Sequence, residues 1–249
     1  MTETLWDGAF NLSDLGGLPT DRGPTKAGTI FRSGRPETLT NQGWRDARRA
    51  GLRTIVDLRN DRERSRLDYH PIIDADAMDG IDVIFAPTED PDDPEFMRVC
   101  GPWLDHPRSY ADNLVLYPSK FLVVFEAIAR SRGAVLVHCS GGRDRTGMVV
   151  AMLLALAGVS AEVIADDYEL AFREAHAHVV RRPERSREDV YSEEELTARV
   201  EERRAAMIDW IGGFDFGEYL REIGLSHNDL ARLTDLLHET RSGERDFVL

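Results

Sequence analysis

Ala134-Val135-Leu136-Val137-His138-Cys139-Ser140-Gly141-Gly142-Arg143-Asp144-Arg145-Thr146-Gly147-Met148-Val149-Val150-Ala151 is the stretch on which the fold turns. Its apolar opening predicts a buried strand, and the apolar run from Met148 to Ala157 predicts a helix. Between them lies a loop with a glycine pair. Strand, glycine loop and helix in that order make a phosphate cradle. The N–H groups of such a loop converge on its centre, and the helix N-terminus adds the positive end of its dipole. A cysteine at the strand's end and an arginine six residues later would line one bowl, with sulfur at its floor.

Working outward, Arg53 to Leu58 and Ile81 to Phe85 read as strands, as does Thr29-Ile30-Phe31. Asn11 to Gly17 has turn chemistry. Thr40 is placed to cap a helix through Ala50, with Gly51 just past its end. Asp61 to Leu67 reads as a short charged helix. Residues 87–108, rich in proline and acids, read as a long exposed loop of the kind that serves function. Helical patterns cover 109–116 and 119–131, and Ser160 caps a helix to Phe172. Ser192-Glu193-Glu194-Glu195 is a capping box that predicts a helix over 193–211, with further helices over 214–223 and 227–238. Strands alternating with helices predict an α/β fold, a central, mostly parallel sheet of four or five strands flanked by helices, with extra helices in the C-terminal third. In such sheets the ligand lies beyond the carboxyl ends of the strands, where Cys139 would be. One domain over 1–249 is expected, with 173–205 as a helical insertion or lid; a solvated helical pair is the blander account of the same residues.

With 249 residues and 42% hydrophobic composition the chain can bury a full core. No run of 18 apolar residues offers a membrane span. The start, Met1 to Asp7, has neither the basic nor the apolar region of a signal peptide, so a cytoplasmic location is expected. A formal charge of −14 argues against nucleic-acid binding, and it obliges a phosphorylated substrate to be held by a local basic pocket. Cys100 and Cys139 are the only cysteines. With one of them in a reactive loop, reduced thiols are the better expectation.

The cradle permits a definite chemistry. A thiol facing a helix N-terminus and an arginine favours its thiolate, and Cys139 would attack phosphorus in line to form a thiophosphate intermediate. Arg145 would hold two equatorial oxygens in a fork. Ser140, Gly141, Gly142 and Arg143 would complete the substrate-binding loop, and the glycines would let backbone approach phosphate closely. Thr146 is placed to donate to the sulfur, and His138 to brace the loop from beneath. A carboxylic acid must protonate the leaving oxygen, and two compete: Asp144 inside the loop, favoured for its fixed distance, and Asp90 on the segment after strand 81–85. Arg59, at the end of a strand, is a candidate to edge the crevice, as is Arg32; an ion pair with a neighbouring acid is an equally good account of Arg59. Taken singly, a cysteine is a small buried hydrophobe, a Gly-Gly pair a turn and a histidine structural. Their order between a strand and a helix is what sets those readings aside. His176 and His178 lack metal-ligand spacing, and no metal site is read.

His-Cys-x5-Arg-Thr-Gly resembles the signature of cysteine-dependent protein-tyrosine phosphatases with their dual-specificity and lipid-directed relatives. Gly8 to Gly17, Phe31-Arg32-Ser33, Asp57-Leu58-Arg59, Gly80 to Val83 and Gly217 to Leu220 are similar to a bacterial branch of that family, the mycobacterial phosphatase B type. The resemblance implies a phosphatase fold, a metal-independent phosphomonoesterase without cofactor, Cys139 as nucleophile and Arg145 as phosphate binder. It implies a phosphorylated protein or phosphoinositide as substrate. The chain departs from the branch at Arg143, where lysine is usual; a guanidinium is a planar fork and an ammonium a compact point. Two other readings stay open: a rhodanese-type sulfurtransferase, which the Arg-Thr-Gly helix start disfavours, and a non-catalytic phosphate-binding module, which would commonly lack the cysteine or the arginine.

Overall fold

A computed structural model of the chain describes residues 6–183 and 189–238. Its centre is a five-stranded sheet in the order β1-β2-β5-β3-β4, with β1 Ser13–Asp14, β2 Ile30–Ser33, β3 Leu52–Asp57, β4 Asp82–Phe85 and β5 Ala134–His138. Only the β1–β2 pair is antiparallel; β2, β5, β3 and β4 run parallel. Because β5 lies between β2 and β3, all five of its residues are buried and it reads as a continuous apolar run. Edge strand β4 leaves Val83 and Phe85 exposed, and Arg64 lies over the Phe85 ring.

Side chains alternate across the sheet and divide the core in two. Phe31, Leu52, Ile55, Ala134 and Leu136 face one side, where Trp6, Leu39, Trp44 and Ala47 cover them. Trp44 and Ala47 lie on α1, Asn41–Arg49, which Thr40 caps by accepting from the Gly43 N–H. Ile30, Val56, Val135 and Val137 face the larger core, and the same alternation carries Cys139 to that side. That core is built by α3 Tyr110–Leu116, α4 Pro118–Ala129, α5 Asp144–Leu156, α6 Ala161–Arg181, α7 Glu193–Gly212, α8 Phe216–Glu222 and α9 His227–Leu237. Helix α5 packs directly against the sheet and is buried on nearly every side from Thr146 to Leu154. Among the described residues no helix is long and apolar enough to cross a membrane.

Three local expectations change. The charged segment after β3 forms only a single 3₁₀ turn, Asp61–Glu63, in which Asn60 and Glu63 cap each other's backbone. Residues 87–108 are not a bare loop: Asp93 caps a further helix, Pro94–Val99 (α2 in chain order), and Phe96 and Cys100 are buried. Helix α6 runs past Phe172 to Arg181, since Ala175 and Val179 continue its buried stripe through the charged sequence.

Candidate active site

The loop between β5 and α5 turns every carbonyl outward into a hydrogen bond. Carbonyl oxygens can only accept, so His138 donates from Nδ1 to Cys139 O at 3.1 Å. The Arg35 N–H donates to Ser140 O at 3.1 Å, and Asn11 Nδ2 to Gly141 O at 2.8 Å. Arg32 Nη2 donates to Gly142 O at 2.7 Å, the Gly147 N–H to Arg143 O at 2.7 Å, and the Tyr110 hydroxyl to Asp144 O at 3.0 Å. The amides of Ser140, Gly141, Gly142, Asp144, Arg145 and Thr146 have no hydrogen-bond partner among the described residues. A loop whose carbonyls are all engaged from behind, and whose N–H groups are left over, has the geometry to receive an anion. Gly142 makes its curvature possible: its φ is +69°, and a Cβ there would come within 2.4 Å of the Ser33 backbone. At Gly141 a Cβ would meet open space, so the demand for glycine falls on the second of the pair.

Cys139 is buried at the start of this loop, 3% exposed, and its charge is among those acting on Arg145. Arg145 leads the first turn of α5, and both its terminal nitrogens donate to Glu63, Nη1 to Oε2 and Nη2 to Oε1 at 2.6 Å each. Glu63 also accepts from the Ser140 hydroxyl at 2.7 Å. Burial works against the Glu63 charge, but the Arg145 and Ser140 bonds outweigh it and hold the carboxyl down at about 2. The remaining Nε edge of Arg145 faces Glu89 Oε2 at 3.6 Å. Burial pushes the Glu89 carboxyl up to about 7, with Arg145 opposing and Glu63, Asp144 and Asp105 adding to the rise.

The remaining residues named from sequence fall in different places. Asp144 faces Tyr168 and Arg143: Oδ1 accepts from the Tyr168 hydroxyl at 2.8 Å, and Oδ2 from Arg143 Nε at 2.6 Å. The Arg143 guanidinium lies 5.0 Å over the Phe172 ring, with Arg203 at 4.9 Å from the same ring. Asp90 Oδ1 accepts from the Asp92 N–H, at the turn that follows Glu89. Thr146 Oγ1 is fully buried with no hydrogen-bond partner. Arg59 is 2% exposed and spends its guanidinium on Asp57 and Glu37, so it braces the underside instead of edging the crevice. Asp57 Oδ1 stands 3.7 Å from His138 Nε2, and burial keeps that imidazole neutral, its pKa down at about 4. Arg32, likewise buried, ties the loop to Asp167 on α6.

The profile of the tyrosine phosphatase family matches residues 4–239. The chain belongs to that family. It is 29% identical over 190 residues to the triple specificity protein phosphatase PtpB of Mycobacterium tuberculosis, covering 65% of this chain and 66% of that one. It is 45% identical over 53 residues to a tyrosine-protein phosphatase of Nostoc commune, 21% of this chain and 18% of the relative. The chain thus spans just under two thirds of the first relative's length and about a fifth of the second's. The crystal structure of P. aeruginosa TpbA superposes with a TM-score of 0.36 at 17% identity, over 90% of this chain and 99% of that one.

Two residues at this phosphatase-family cradle escaped the sequence reading. Glu63 stands 82 positions before Arg145; its place three residues after Asn60 marks it as a capping acid, with nothing local to mark it as a partner of Arg145. Glu89 sits beside Asp90, and the alternation of buried Ala86 and Thr88 gives no hint that it, not Asp90, meets Arg145.

Proposed function

We propose that the chain is a phosphomonoester hydrolase working through a covalent thiophosphate on Cys139. The observation that carries this is the row of six outward-held carbonyls from Cys139 to Asp144, which leaves the loop's N–H groups for an anion beside a sulfur and a guanidinium. The phosphate occupies the bowl, its oxygens taken by those amides and by Arg145, whose two terminal nitrogens Glu63 already holds. The Cys139 thiolate attacks phosphorus as the ester P–O bond breaks, and water then attacks the thiophosphate and releases phosphate. The Thr146 hydroxyl, buried without a partner, is available to the sulfur when it leaves.

The substrate reading is phosphotyrosine, extending to phosphoserine, phosphothreonine and phosphoinositide head groups. Membership of the tyrosine phosphatase family supports the first, and the triple specificity in the name of the M. tuberculosis relative supports a broader range. Helix α6 flanks the loop on one side: its Phe172 carries Arg143, and its His178 stacks on Phe10 with ring centroids 4.0 Å apart.

The test is release of phosphate from 4-nitrophenyl phosphate, phosphopeptides and phosphoinositide vesicles assayed side by side. Cys139→Ser is expected to abolish turnover on every substrate while the circular dichroism spectrum stays unchanged. Turnover retained in that variant overturns the reading, as does thiocyanate formation from thiosulfate and cyanide without phosphatase activity.

A further inference from the structure

Within the phosphatase reading, on which this inference rests, one group is unassigned: the acid that protonates the leaving oxygen. We propose that Glu89, and neither Asp144 nor Asp90, is that acid.

The argument begins with what surrounds Arg145. Its two terminal nitrogens are already matched by Glu63, so its charge is compensated before Glu89 is considered. Glu89 meets only the Nε edge, at 3.6 Å, beyond hydrogen-bond reach. Its side chain is 15% exposed. A second carboxylate in a dry site beside a spent cation is better kept as the acid, and Glu63, Asp144 and Asp105 reinforce this. The Nε edge is also the side of the guanidinium left open for a phosphate oxygen. A protonated carboxyl there stands at the ester, not behind the loop.

The segment that carries Glu89 is fixed rather than loose. The Ala86 N–H donates to Asp57 O at 2.9 Å, at the end of β3. Lys120 Nζ, from α4, donates to Glu89 O at 3.0 Å. The Tyr117 hydroxyl donates to Asp93 at 2.8 Å. Thr88 is fully buried. The competitors are engaged elsewhere: both oxygens of Asp144 accept, from Tyr168 and Arg143, and Asp90 accepts from its own turn. Asp144 is thereby a positioning residue that sets the Arg143 guanidinium against Phe172.

The proton balance is complete. As sulfur bonds to phosphorus and the ester P–O bond breaks, the Glu89 proton passes to the departing oxygen, which leaves as a neutral alcohol. The Glu89 carboxylate then takes a proton from the water that attacks phosphorus. The S–P bond breaks, the thiolate returns and the acid is restored.

The experiment compares kcat/KM, which reports ester cleavage and not the later hydrolysis of the thiophosphate, for phenyl phosphate, whose leaving group needs a proton, and for 4-nitrophenyl phosphate, whose leaving group does not. Glu89→Gln is expected to lower the former by about 10²- to 10⁴-fold and the latter far less. In the same variant the fall of kcat/KM above about pH 7 disappears. Asp144→Asn and Asp90→Asn are expected to keep that fall. An equal loss on both substrates in Glu89→Gln, or loss of the alkaline fall in Asp144→Asn or Asp90→Asn alone, overturns the assignment. Wild-type protein that hydrolyses neither ester overturns the phosphatase reading and this inference with it. Should Glu89→Gln fail to fold, Glu89→Asp serves: a slower enzyme that keeps the alkaline fall supports the proposal, and one that loses it sinks it. Infrared spectra of the unmodified protein give a further check, since a protonated carboxyl band must titrate near pH 7; its absence there is fatal.

Discussion

At the scale of single residues, Gly142 and Glu89 illustrate opposite relations between stability and function. Gly142 serves both: its positive φ closes the anion loop, and no side chain fits against Ser33. Gly142→Ala combines a strained backbone with a clash against main chain, and about 2–4 kcal/mol of lost stability is expected. Thermal unfolding checks this, and phosphate binding by the variant should weaken in parallel. Gly141→Ala, with open space around its Cβ, should leave the unfolding temperature nearly unchanged. Glu89 sets the two against each other. Its carboxyl titrates higher in the fold than in the open chain, about 7 against 4.5, so the folded state is the one holding the proton. Stability contributed by that proton is lost as pH rises from 4.5 through about 7. Glu89→Gln should therefore raise the unfolding temperature at pH 8 and change it little at pH 4. Equal shifts at both values would contradict the buried-acid account.

At the scale of elements, the anion loop is held by pieces distant in sequence. Arg32 leaves the end of β2, bonds Gly142 O and pairs with Asp167 on α6. Removing one member of a buried pair strands the other, at a cost of about 3–5 kcal/mol. Asp167→Ala is expected to lose stability in that range and to weaken phosphate binding, though Asp167 touches no part of the bowl. Calorimetry and phosphate titration together test both halves of this. The same element shows how far sequence carries. Strand β5, the loop and α5 were readable because residues 134–157 are local and periodic: apolar run, glycine pair, apolar helix. The Thr40, Ser160 and Ser192 caps were readable for the same reason. The end of α6 was not, since its buried stripe beyond Phe172 rests on Ala175 and Val179, small signals among charges. Arg59 could be placed at a strand end from sequence, but its partners Asp57 and Glu37 decide its role, and Glu37 lies 22 positions away. The bowl's acids are legible only in three dimensions. Glu63 and Glu89 converge on Arg145 from 82 and 56 residues upstream.

At the scale of the whole molecule, the buried charges set how the fold answers to acid. His138 is neutral in the fold with a pKa of about 4, against 6.5 in the open chain. The open chain therefore binds the proton first, and stability falls as pH drops from 6.5 to about 4. Glu37, Asp57 and Glu63 are all held low by arginine partners that outweigh their burial. Their contribution is present above the ordinary carboxylate range and is lost as pH falls through it, towards about 2 for Glu63. Both effects have one sign. Glu89 opposes His138 between about pH 7 and 4.5. Unfolding temperature should therefore decline steeply only below about pH 4.5, and Arg59→Met should flatten that decline, because Asp57 and Glu37 lose the partner that holds them down. A decline of the same slope in the variant would point to other groups.

The order of the sheet carries a consequence for biosynthesis. β2 and β3 are made early, yet neither can pair with the other, because the strand that belongs between them is β5. Until residues 134–138 leave the ribosome, the β5-facing edges of β2 and β3, which carry Ile30, Phe31, Ile55 and Val56, stay unpaired, and unpaired apolar strand edges favour aggregation. Cys139 follows immediately on that last strand. Cys139 is therefore never translated ahead of the strand that seats it.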